Sequence, residues 1–301
     1  MYYLRIKDVG SGGNQVAGLL DGLGQFGLGD LENASLFESP EENDTADALT
    51  PIQKQIQMEQ DYLFDKTYTC PVCDSEFKVR TVKIGKAKLI GTDMDLRPKY
   101  EGIDLLKYDV VLCPHCGYAA LTRYFKILSA FQAKKIREVI SKAFKPQKET
   151  SEIYSYEEAL ERYKLALANT IVKQGKASEK AYICLKAGWL LRGRNEALEP
   201  SEPEYEKKKT EGTAEENEFM KNALEGFLAA RQSEGYPMCG MDETTVDYMI
   251  AVLSMNFSQY DVASKLIANI LVMSGANPRM KEKARELKEL LILKIKEQRK
   301  V

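Results

Sequence analysis

The chain has 301 residues, 44% of them apolar and 29% charged, with a formal net charge of −2. That length suits two compact modules, and the composition is that of a soluble globular protein. No run approaches the roughly 18 to 20 apolar residues of a spanning helix. The opening MYYLRIKDVGSGG has no basic stretch leading into a long apolar one, so a cytoplasmic protein with no membrane partner is predicted.

The near-neutral total hides an uneven distribution. Residues 1–65 hold 3 basic and 12 acidic side chains, residues 66–149 hold 17 and 9, and residues 150–301 hold 23 and 24. Residues 1–65 read as a flexible acidic leader, because glycines recur through residues 10–50 among Asp, Glu and Asn and disfavour a stable helix. The alternative is that Leu20, Leu23, Phe26, Leu28, Leu31 and Phe37 dock into a groove while the acids lie on the basic segment. The stretch GSGGNQVAG lacks the GK[ST] ending of a phosphate-binding loop, which argues against nucleotide binding.

Residues 66–120 change character. SEFKVRTVKIG and LKYDVVLC carry the β-branched, alternating residues of short strands, and IGKAKLIG reads as a hairpin region. Two C-x2-C pairs punctuate this segment, Cys70 with Cys73 and, after 39 intervening residues, Cys113 with Cys116. Two such knuckles let four thiolates converge on one Zn²⁺ at about 2.3 Å. Pro114 presets its φ and Gly117 supplies a permissive backbone just after the second pair; Asp74 stands where the first pair might carry a glycine. The spacing exceeds that of a compact zinc ribbon, so an insertion is predicted between the knuckles. Iron in a rubredoxin-like site is the alternative to structural zinc.

A site closed by four cysteines leaves no position for water or substrate. His115 is the sole histidine, so a His-rich hydrolytic zinc site cannot be assembled, and its place between two ligands makes it a bystander. No paired carboxylates, triad or phosphate loop emerges, which leaves enzymatic activity without a candidate catalytic residue. Cys184, beside Leu185 and Trp189 on a predicted helix, reads as a small buried hydrophobe. Cys239, in GYPMCGMDE, reads as an inert loop thiol, with an exposed, oxidisable thiol as the alternative.

From residue 121 the periodicity becomes helical. Leu121, Phe125, Leu128, Ile136 and Ile140 recur at helical intervals, predicting a connecting amphipathic helix over 121–149, interrupted at Pro146. Residues 150–301 read as a helical domain. Two helices fill 151–195, a charged break falls at EALEPSEPEYEKKKTEGTAEEN, three or four helices follow, and PRMKEKARELKELLILKIKEQRK closes the domain. Tyr156, Ala159, Tyr163, Ala166 and Leu167 are spaced as in a tetratricopeptide helix, and Met220, Ala223, Phe227 and Ala230 echo them, as do Tyr260, Ala263, Ile267, Ile270 and Leu271. An unrelated helical bundle is the alternative.

The ordered motifs GLGQFGLGDLENASLFE, YTCPVCDSEF, DMDLRPKYEGI and YDVVLCPHCGYAA resemble the bacterial family catalogued as domain of unknown function 2225. The resemblance implies a metal-binding N-terminal module, in which Cys70, Cys73, Cys113 and Cys116 match the family's cysteines, followed by tetratricopeptide-like helices. Asp93, Asp95, Arg97, Tyr100, Tyr108 and Asp109 fall between the knuckles and read as a polar network bracing the insertion, or as contacts to a ligand or partner.

The predicted class is therefore α+β, a small β-rich four-cysteine zinc module (66–120) followed by a tetratricopeptide-like helical hairpin domain (150–301). The leading function is a cytosolic scaffold or regulatory protein that binds a protein or peptide partner in a helical groove. The runner-up is nucleic-acid binding by the basic segment 78–145, through Lys78, Arg80, Lys83, Lys86, Lys88, Lys134, Lys135 and Arg137.

Overall fold

The computed structural model describes residues 58–146 and 152–298. The acidic leader up to residue 57, and with it the groove-docking reading of Leu20 to Phe37, lies outside the described residues.

Strand β1 (Leu63–Thr69) pairs antiparallel with β2 (Glu76–Val82), from Leu63 opposite Val82 to Thr69 opposite Glu76. It opens within the segment read as leader, where Glu59 is already buried. β3 (Leu89–Thr92) pairs antiparallel with β4 (Pro98–Tyr100), and β5 (Val110–Leu112) with β6 (Ala119–Leu121). Each pair is a separate two-stranded sheet. The hairpin therefore lies later than IGKAKLIG suggests. Lys86 N–H bonds the Lys83 carbonyl to make the connection from β2, while the β3–β4 turn is DMDLR, with Asp93 N–H on the Arg97 carbonyl at 2.9 Å and Leu96 in the left-handed region. A 3₁₀ turn (Leu105–Tyr108), N-capped by Asp104, leads into β5.

The first helix starts later than the apolar spacing predicts. Leu121 ends β6, residues 122–126 form successive turns, and α1 begins at Ala130 (Ala130–Ile136) behind a capping box in which Ser129 and Gln132 bond each other's backbone N–H. A π turn (Arg137–Ser141) continues it. A second box, Ser155 with Glu158, starts α2 (Tyr156–Val172). Then follow α3 (Ala177–Ala197), α4 (Tyr205–Ser233), α5 (Glu243–Asn256), α6 (Tyr260–Val272) and α7 (Pro278–Gln298). The charged break shrinks to residues 198–204, because Glu196 and Ala197 end α3 and the residues from Tyr205 are the start of α4. Neighbours in sequence pack as hairpins, α2 on α3, α3 on α4, α5 on α6 and α6 on α7.

The repeated small and large residues of the helical half face inward. Ala159, Tyr163 and Ala166 on α2, Ala223, Phe227 and Ala230 on α4, and Ala263, Ile267 and Ile270 on α6 are all buried. Their cluster continues without interruption into Leu106, Val110, Ala119 and Leu121 of the strand region. Side chains alternate along β5 and β6, so Val110, Ala119 and Leu121 pack on the helices while Val111 and Ala120 pack around the cysteines. The fold is α+β, with small antiparallel strand pairs carrying a four-cysteine cluster, followed by a helical domain.

Candidate metal centre

The two C-x2-C motifs are the turns of two hairpins, β1–β2 and β5–β6, and they share one backbone design. Cys70 N–H donates to the Ser75 carbonyl at 3.0 Å and Cys113 N–H to the Tyr118 carbonyl at 2.8 Å; Asp74 N–H returns to Cys70 at 2.9 Å and Gly117 N–H to Cys113 at 3.0 Å. The closing residue is left-handed in both turns, with φ +59° at Asp74 and +73° at Gly117. Such turns put both sulfurs of a pair on one side.

The tips face each other. Cys70 Sγ lies 3.6 Å from Cys116 Sγ and Cys73 Sγ 3.7 Å from Cys113 Sγ, and all four sulfurs lie within 4.8 Å of one another. Disulfide bonds are near 2.0 Å, so these are four free thiols. A tetrahedron of sulfurs at about 2.3 Å from a central ion has edges of about 3.8 Å, which matches the observed separations. The cluster is thus a group able to hold a metal ion.

Its electrostatics favour a cation at the centre. Cys113, accepting from the Cys116 and Cys70 thiols, is held down to about 2. Sharing with Cys113 and burial push Cys70 up to about 12, and Cys113, Cys70 and burial together carry Cys116 well above the ordinary thiol value. A divalent ion at the centre compensates several thiolates at once. Backbone N–H groups of Val72 and Cys73 at Cys70, of His115 and Cys116 at Cys113, and of Tyr118 at Cys116 offset further charge.

An aromatic and aliphatic wall covers most of the site. Tyr68, Phe77, Phe125 and Tyr118 form a connected ring cluster, with Tyr118 and Phe125 centroids 4.9 Å apart and Tyr118 Oη donating to the Phe125 carbonyl at 3.0 Å. Ala133 and Ile136 of α1 complete the wall. Phe144 lies over Gly117, where a Cβ would meet its ring at 2.5 Å. Cys73 is the one cysteine of the four that is not fully buried.

The residues between the knuckles form an ion-pair network that ties the insertion to the helices. Arg97 donates to Asp93 at 2.7 Å, to Glu196 of α3 at 2.5 Å and to the Trp189 carbonyl at 3.3 Å. Arg192 of α3 reaches Asp95 at 2.8 Å, Asp93 at 3.2 Å and Glu216 of α4 at 2.7 Å. Tyr108 Oη donates to Glu59 at 2.7 Å, and Lys107 pairs with the same carboxylate at 2.6 Å. Asp109 pairs with Lys186 of α3. Among the described residues Tyr100 makes no polar contact that enters this network and instead lines the clefts on either side of β4. Sequence reasoning missed Glu59, Lys107, Asn169, Lys186 and Arg192. One signal was present for the close approach of α3 to the insertion. Gly193 sits in mid-helix where a Cβ would meet Asp104 Oδ2 at 2.6 Å, and a glycine inside a helix marks a close approach.

The remaining candidates fall elsewhere. His115 is exposed and outside the sulfur cluster. Cys184 is buried on α3, and burial pushes its thiol up to about 11. Cys239 is buried rather than exposed, with Sγ donating to the Ser178 carbonyl at 3.3 Å, which removes the oxidisable-loop alternative. Three of the eight basic residues named for the segment face carboxylates at the surface, Arg80 with Asp65, Lys88 with Glu101 and Lys134 with Glu138. No helix among the described residues is long and apolar enough to cross a membrane.

Fold and site together define an α+β protein built around a closed four-thiol cluster. The sequence model of the family described as "Uncharacterized protein conserved in bacteria (DUF2225)" matches residues 63–291, and the chain belongs to that family. No curated protein and no solved structure matches the chain.

Proposed function

We propose that Cys70, Cys73, Cys113 and Cys116 hold one zinc ion in a structural role, and that the protein is a cytoplasmic interaction protein, scaffold or regulatory, that receives a protein or peptide partner. The observation that supports this reading is the closure of the sulfur cluster. Four thiols fill all four corners of the tetrahedron, so the ion has no open position for water or substrate. Zinc suits the site because its filled d shell accepts four thiolates without redox chemistry; iron is the competitor. The helical hairpins, taken as tetratricopeptide-like, supply a large surface of the kind such arrays use for partners. Nucleic-acid binding by the basic segment is the second reading: Arg80, Lys88 and Lys134 face carboxylates, while Lys83 and Lys86 form no ion pair among the described residues. A tagged full-length chain, captured from its native cell with and without nuclease, tests the reading. Proteins retained after nuclease support it, and loss of all of them with nuclease contradicts it.

A further inference from the structure

The motif residues around β4 border two clefts of opposite chemistry. On one side lies a cleft of about 380 Å³ whose basic residues are already matched, Lys99 to Asp93 and Glu196, Arg97 to the same two carboxylates, and Lys107 to Glu59; Asp104, which accepts from the Leu106 N–H, lines both clefts. On the other lies a cleft of about 230 Å³ walled by Val82, Ile84, Pro98, Tyr100, Leu105 and Tyr108, with Lys186 and Asp109 paired at its polar end. That volume is small for a whole metabolite and suits an inserted apolar side chain.

Three features make the apolar cleft more than a packing gap. Ile84, on its rim, is 82% exposed, which leaves a large apolar side chain turned to solvent at the mouth of an apolar cleft. The floor is fixed, because Tyr108 is held by Glu59 and by the Tyr154 backbone N–H, and Asp109 by Lys186. Lys83 and Lys86, which flank Ile84 in sequence, donate to the Asp61 backbone carbonyl at 3.2 Å each and form no ion pair among the described residues. Their positive charge is available to a partner.

We propose that this cleft seats an apolar side chain of an acidic peptide segment on a protein partner. The proposal rests on the interaction reading above and moves the contact from the helical surface to the junction of the insertion with α3. The ion-pair network then has a purpose, since it holds the insertion at a fixed distance from the helices and keeps the cleft open. Truncating or blocking a central anchor contact typically weakens binding tenfold or more.

A displayed library of random peptides, about twelve residues long, panned against the metal-loaded full-length chain, tests this. The proposal expects enriched peptides with Asp or Glu around a Leu, Phe or Met. Their affinity should fall at least about tenfold with Ile84→Glu and with Lys83→Glu plus Lys86→Glu. It should not change with Val272→Glu, a position 81% exposed on α6. Because Ile84 is a surface residue, its replacement leaves the fold intact. Peptides that depend on Val272 and ignore Ile84 overturn this site while leaving a helical-surface interaction standing. Enrichment of basic peptides, or poly(U) RNA competing them off, also overturns it. A library that yields no enriched peptide overturns both the site and the interaction reading.

Discussion

Asn169 of α2 donates through Nδ2 to the carbonyl of Gly117, inside the second knuckle, at 3.0 Å. The bond is fully buried and links a residue of the helical half to the turn that presents Cys113 and Cys116. The four-cysteine cluster and the helical half are thus linked by a polar contact, and β5 and β6 carry side chains into the cores on both their faces. Asn169→Leu leaves the Gly117 carbonyl without this donor in a dry environment, and a loss of about 1–3 kcal/mol in urea unfolding is expected. An unchanged midpoint would show that the contact is dispensable.

The equivalent residues Asp74 and Gly117 should respond in opposite directions. Gly117→Ala combines a left-handed backbone with a clash against Phe144, and a loss of about 2 kcal/mol or more is expected. The added Phe144→Ala change should recover the steric part and not the backbone part. Asp74→Gly relieves a strained φ and should be neutral or stabilising by up to about 1 kcal/mol. Thermal melts of the four proteins decide this.

Asp95 is 2% exposed and meets Arg192 through two close contacts. Arg192→Leu strands that carboxylate and should cost about 3 kcal/mol, as expected for breaking a buried pair from one side. Replacing both, with Asp95→Asn added, should restore part of the loss. Equal stability of the single and double variants in chemical denaturation would contradict the coupling.

Two carboxyls of the insertion carry opposite pH signatures. Burial would raise Asp93, but Lys99, Arg97 and Arg192 outweigh it and hold its carboxyl below the ordinary range. Its stabilisation is therefore present above the unfolded value of about 4 and is lost as pH falls through the lower folded value. Burial raises Asp104, outweighing the Leu106 N–H, Arg97, Lys107 and Tyr156. The native state there prefers the protonated acid, so stability falls as pH rises from about 4 through the raised folded value. Asp104→Asn should remove that loss and raise the melting temperature at pH 7 more than at pH 4. A larger gain at pH 4 would contradict the assignment.

The cysteine spacing made the sulfur cluster legible because the chemistry of one motif repeats twice and leaves few alternatives. Helix faces were legible too, since alanines and aromatics at helical spacing, such as Ala159 and Tyr163, are those that the core buries. The start of α1 was not read correctly. Leu121 and Phe125 are spaced as in a helix, yet they are buried in a strand end and a turn, and the Ser129–Gln132 box was the better signal. Contacts such as Arg192 with Asp95 stayed invisible because periodicity says which face is buried and not what covers it.

The most direct test is elemental analysis of the full-length chain purified without added metal, alongside Cys70→Ser and Cys113→Ser. One zinc per chain is expected, lost in both variants together with a large fall in melting temperature, because the ion compensates thiolates that the fold holds within 4.8 Å of one another. Iron in place of zinc, or a metal-free chain as stable as the loaded one, would contradict the structural zinc centre.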